Sequence, residues 1–77
     1  MNRAQLVESG RVLAWNAAFP IGTLVDYWTF TREGNPSGRA KTRSKSELLG
    51  GHTAVVWIEG VASCVALTHV KPVEDAS

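Results

Sequence analysis

Four basic residues alternate along the middle of the chain: Arg39, Lys41, Arg43 and Lys45. Side chains two apart on an extended segment point the same way, so this spacing sets a row of positive charge on one strand face. Such a row suits a phosphate backbone, where each Lys or Arg neutralises one charge and releases its counterion. Arg32 lies just upstream, and Glu33 is the only acid between Arg32 and Lys45. Tyr27, Trp28, Phe30 and Trp57 supply rings on which exposed bases could stack. The same residues have a plainer reading. A Lys-rich edge blocks edge-to-edge pairing of strands, and tryptophans on neighbouring strands are more often packing than platform.

No other constellation points to chemistry. Gly50-Gly51 lacks the Lys-Ser/Thr that a phosphate loop needs, and no carboxylates cluster as acid–base catalysis requires. His52 and His69 lie far apart, without a ligand-spaced partner. His52 follows two glycines and reads as a surface or hinge residue; His69 reads as a hydrogen-bonded turn residue. Cys64 is the single cysteine. It excludes an intrachain disulfide, and its apolar neighbours mark it as a small core residue rather than a reactive thiol. No catalytic residue, cofactor or metal is expected.

The chain has 77 residues and a formal net charge of +1. That length gives one domain, below the size at which a single core is comfortably stable, and oligomerisation is the usual remedy where disulfides and metals are absent. The opening residues lack the long apolar run of a signal peptide, and no window is long enough to span a bilayer. A soluble protein of the host-cell cytoplasm is the expectation.

The elements that would position these residues follow from pattern. Thr53 to Ile58 is a β-branched, uncharged run bracketed by Gly50-Gly51 and Glu59-Gly60, and reads as the core strand. Arg3 to Ala18 reads as a helix with two apolar stripes. Leu6, Gly10, Leu13 and Ala17 form one; Val12, Trp15 and Phe19 form the other. One stripe packs on the domain while the other meets another subunit, and either assignment fits. The alternative is that the first ten residues are partly disordered. Phe19-Pro20 ends the helix. Strands are expected over 23–30, 39–44, 63–67 and 70–73, with a long exposed loop over 31–38. Ser44-Lys45-Ser46-Glu47 fits a capping box, with Leu48 and Leu49 closing a short helical turn and Gly50 ending it. Glu74 to Ser77 is a polar tail.

The run Trp15-Asn16, Phe19-Pro20, Gly22-Thr23, Val25, Tyr27-Trp28 resembles the start of small phage- and prophage-encoded proteins of uncharacterised role. The resemblance continues through Arg32-Glu33-Gly34, Thr42-Arg43-Ser44, Leu49-Gly50-Gly51-His52-Thr53, Val55-Val56, Glu59-Gly60 and Ala66-Leu67-Thr68-His69-Val70. It implies a mobile-element context and no particular activity. A fainter likeness is to the plasmid-borne type II dihydrofolate reductases, which are short SH3-like chains that work as homotetramers. Their pore-lining Val-Gln-Ile-Tyr run falls on Val65, Ala66, Leu67 and Thr68. Ala66 and Thr68 lack the amide and the phenol, so the likeness implies a fold and no reductase activity.

The expectation is therefore an all-β chain: an SH3-like small barrel of about five strands over 19–73, with an N-terminal α-helix over 1–18 and a flexible tail over 74–77. It is expected to be a non-enzymatic binding module that contacts nucleic acid through Arg32, Arg39, Lys41, Arg43, Lys45 and Trp28. The alternative is a protein-interaction or host-modulating factor that uses the helix, with a host or phage protein as partner. A homo-oligomer is expected, with Leu6, Leu13 and Trp15 at its interface. No membrane contact is expected.

Overall fold

The computed structural model describes residues 3–29 and 33–73. The polar tail, Phe30 and Arg32 lie outside them. One helix, α1 (Arg3–Ala18), precedes six strands: β1 (Leu24–Tyr27), β2 (Gly38–Lys41), β3 (Glu47–Leu49), β4 (Thr53–Val56), β5 (Val65–Ala66) and β6 (Val70–Pro72). A 3-10 turn over Leu67–His69 leads into β6. The strands form two antiparallel sheets, ordered β2-β1-β6 and β3-β4-β5.

Periodicity places α1 at the expected residues. Its last turn closes with the Phe19 N–H donating to the Trp15 carbonyl at 2.8 Å. Pro20 then starts a tight turn in which the Thr23 N–H returns to the Pro20 carbonyl at 3.2 Å. Gly22 occupies the third position with φ 96°, a conformation that L side chains resist.

Register sorts the first sheet into two faces. Val25 stands opposite Ala40 and Pro72, and Tyr27 opposite Gly38 and Val70. Val25 and Val70 are buried, and with Val56, Ile58, Val65 and Trp15 they make the core; Phe19, Tyr27, Ala40, Val61 and Leu67 pack around it. Burying each Val or Ile contributes roughly 1.5–3 kcal/mol, so this small cluster carries much of the fold.

Two expectations are corrected here. The sheets do not close into a barrel: among the described residues they are linked by one bridge, Thr42 to Ile58. The chain crosses from sheet to sheet at that point. The Thr42 N–H donates to the Thr23 carbonyl and the Gly22 N–H to the Thr42 carbonyl, both at 2.9 Å. On its other edge, the Glu59 N–H donates to the Lys41 carbonyl and the Arg43 N–H to the Trp57 carbonyl. Regular pairing then lapses until Glu47. The buried Thr42 hydroxyl also accepts from the Gly22 N–H at 3.1 Å, which ties the crossing to the turn after α1.

The capping box is not formed either. Glu47, Leu48 and Leu49 are a strand, paired with Val55, Ala54 and Thr53. The Ser44 hydroxyl accepts the Trp57 N–H at 3.4 Å, and the Ser46 hydroxyl donates to the Val55 carbonyl at 2.9 Å. A neighbouring strand supplied partners that a single helical turn could not match, and local propensity yielded. Gly50 and Gly51, with φ 62° and 79°, form the turn from β3 to β4 instead of ending a helix.

Candidate functional site

The basic row does not survive as a row. Arg39 and Lys41 share the outer face of β2, but Arg43 and Lys45 follow the crossing at Thr42, where the chain leaves that sheet. Arg39 is paired: its Nε donates to Asp26 Oδ1 at 2.7 Å and its Nη2 to Asp26 Oδ2 at 3.2 Å. Asp26 sits in register with Arg39 on one side and Lys71 on the other. The Arg39 hydrogen bond, with added attraction from Arg39 and Lys71 charge, holds the Asp26 carboxyl below the usual carboxylate range. The same hydrogen bond raises Arg39. Arg43 turns its guanidinium onto backbone carbonyls, Nε to Ile58 at 3.3 Å and Nη2 to Val61 at 3.4 Å. Lys41, Lys45 and Lys71 are exposed.

Trp28, expected at the nucleic-acid contact, packs within the fold. Its ring is buried, and its indole N–H donates to the Gly34 carbonyl at 3.3 Å. Tyr27 lies across Gly38, where a β-carbon would stand 2.5 Å from its hydroxyl oxygen. Trp57 is half-buried. Arg32 lies outside the described residues.

The helix presents a sharper arrangement. The side of α1 that meets the strands carries three polar side chains, Gln5, Glu8 and Asn16, as well as Trp15. Gln5 Nε2 donates to the Gly51 carbonyl at 3.3 Å, and Glu8 Oε1 accepts the Ala54 N–H at 3.5 Å. Asn16 makes two bonds to the Ser46 backbone. Trp15 is 8% exposed and rests against Phe19 with ring centroids 4.6 Å apart. The opposite side carries Leu6, Val7, Gly10, Leu13 and Ala17. Leu6 is 59% exposed, Val7 51% and Leu13 71%. The proposed interface residues thus part company. Trp15 is in the chain's own core because its stripe is the one that packs on the sheets; Leu6 and Leu13 stand outside.

A hollow of about 210 Å³ opens beside Trp28, walled by Val61, Ser63, Cys64, Val65 and His69. Cys64 lies half-buried at this wall and not in the core cluster, a departure from the expected core position. His69 Nδ1 is 3.0 Å from the Thr68 hydroxyl, and His52 Nδ1 is 3.0 Å from the Thr53 hydroxyl. Among the described residues no three His, Cys, Asp or Glu side chains come together as metal ligands. No helix among them is long and apolar enough to cross a membrane.

Sequence reasoning missed the docking role of Asn16 and the pairing of Arg39 with Asp26. Asn16 carried a signal, as the one polar residue from Val12 to Phe19. Asp26 had none, because only register brings it opposite Arg39. Set against family models, curated proteins and solved structures, the chain has no match in any of the three.

Proposed function

We propose that this chain is an SH3-like, non-enzymatic protein-interaction module whose working surface is the outward face of α1. The order of elements supports the SH3-like part. A long loop joins β1 to β2, β3 to β5 run as a meander, and a 3-10 turn precedes a last strand that returns to β1. The observation that carries the interaction part is the exposure of Leu6 and Leu13 on a helix whose Gln5, Glu8 and Asn16 are turned to the strands. Leaving large apolar side chains in water on one contiguous face is unfavourable for a lone chain, and such faces mark binding surfaces. The test is retention of protein partners from nuclease-treated host lysate by the tagged chain and by Leu6→Asp/Leu13→Asp. Retention should vanish in the double variant while its circular dichroism stays unchanged. Equal retention by both forms, together with equal self-association of the two, overturns the reading.

A second reading rests on Lys41, Lys45 and Lys71, which are exposed; Lys41 and Lys71 stand on the sheet face that carries the paired Arg39. It makes this surface a weak, salt-sensitive contact for nucleic acid. A mobility-shift titration at low salt with wild type and Lys41→Gln/Lys45→Gln/Lys71→Gln tests it. Absence of binding by the wild type removes it.

A further inference from the structure

The outward face of α1 is self-complementary in shape. Leu6, Gly10, Leu13 and Ala17 recur at spacings of four, three and four along one stripe. Reversing the helix maps Leu6 onto Ala17 and Gly10 onto Leu13. Large therefore meets small at every position of an antiparallel pair, the arrangement that lets leucine knobs enter holes on a facing helix.

Gly10 is otherwise unaccounted for. Glycine in a helix interior costs roughly 1 kcal/mol relative to alanine. A β-carbon at Gly10 would meet nothing within 4 Å, so no group of this chain asks for glycine there. A leucine from a facing helix would.

Charge points to the same partner. α1 has no acidic residue in its first turn and no basic residue in its last, so neither end of its dipole is compensated within the helix. Arg3 stands in that first turn, at the positive end. An antiparallel copy places Arg3 beside the negative C-terminal end of its partner and cancels the two dipoles.

We propose that the outward face of α1 is covered by the same face of a second copy of this chain, as an antiparallel helix pair about a twofold axis midway between Gly10 and Leu13. This rests on the interaction reading above and names its partner. The 16-residue helix is about 24 Å long. One such helix face falls short of the roughly 800 Å² per partner of a standard interface, so the pair is weak and reversible, separating on dilution through the micromolar range.

Sedimentation equilibrium of the full chain from low micromolar to near-millimolar concentration tests this. The wild type should shift from monomer to dimer. Gly10→Leu should raise helix content in the monomer yet weaken dimerisation at least tenfold, because leucine fills the hole. Leu13→Asp, at an exposed site that cannot unfold the core, should abolish the dimer. In a Cys64→Ala background, mixing Gly10→Cys with Leu13→Cys chains should give more interchain disulfide than either alone. A wild type that is monomeric throughout, or a dimer indifferent to Gly10→Leu and Leu13→Asp, overturns the proposal. A monomeric wild type that still retains lysate proteins through Leu6 and Leu13 would sink the second copy alone and leave the interaction reading standing.

Discussion

Asn16 and Ser46 are joined by a pair of hydrogen bonds. Asn16 Nδ2 donates to the Ser46 carbonyl at 3.0 Å, and the Ser46 N–H donates to Asn16 Oδ1 at 2.8 Å. A side-chain amide here does for the backbone just before β3 what a neighbouring strand would do. It fixes where along α1 the sheet is met.

Asn16→Ala should therefore destabilise the fold by about 2–3 kcal/mol, since it leaves both a backbone donor and a backbone acceptor of buried Ser46 without partners. Asn16→Asp should be little better, because a carboxylate faces the Ser46 carbonyl where an N–H donated. Urea unfolding midpoints at constant slope check both. A loss under 0.5 kcal/mol in Asn16→Ala, about the size of an ordinary surface substitution, would mean that Trp15 alone docks the helix.

The two sides of α1 should respond oppositely to truncation. Trp15→Ala removes a ring from the core and should cost about 3–5 kcal/mol. Leu13→Ala, at a site 71% exposed, should stay within about 0.5 kcal/mol at concentrations where the chain is monomeric. Thermal or urea unfolding of both at low concentration reads the contrast.

Gly38→Ala should destabilise by about 1–3 kcal/mol, as the new methyl meets the Tyr27 ring. The same substitution in a Tyr27→Ala background should cost much less. A double-mutant cycle gives the coupling, and equal penalties in both backgrounds would show that Tyr27 is not the obstacle.

Asp26 sets a pH dependence. Its folded pKa lies below its unfolded value, so its contribution is present above the unfolded pKa and is lost as pH falls through the folded one. Arg39→Gln removes the largest cause, leaving only the Lys71 charge, and should flatten the acid side of the stability profile without changing its neutral plateau much, since the pair is at the surface. Unfolding midpoints measured from neutral pH down to about pH 2 follow this carboxylate. An unchanged acid limb in Arg39→Gln would count against the pair.

The helix and the core strand were legible because each is a long, periodic signal: Arg3 to Ala18 at a spacing near 3.6, Thr53 to Ile58 as a β-branched run. The exposed stripe was legible only as one of two, since sequence does not say which side meets the sheets. Asn16 and Glu8 decided it, through partners 30 and 46 residues away. Ser44 to Leu49 was misread because the local pattern satisfies a helix start, while the partners of Glu47 and Leu48 lie on β4, beyond the window of any local rule. The basic alternation failed for a similar reason. Period two holds only while a strand stays in one sheet, and Thr42 is where this one leaves.

That crossing divides the chain in time as well as in space. The sheet downstream of it is built from consecutive neighbours, with Leu49 opposite Thr53 and Val55 opposite Ala66. The sheet upstream must bring Val25 to Pro72, across most of the sequence. Short loops close early and cheaply, whereas distant pairings wait. A nascent chain emerging from its N-terminus can form the meander while β1 still has an open edge. Val70 to Pro72, made after the other five strands, cover that edge. Substitutions in β6 should then speed unfolding and leave the folding rate nearly untouched, the mark of a strand that arrives after the barrier.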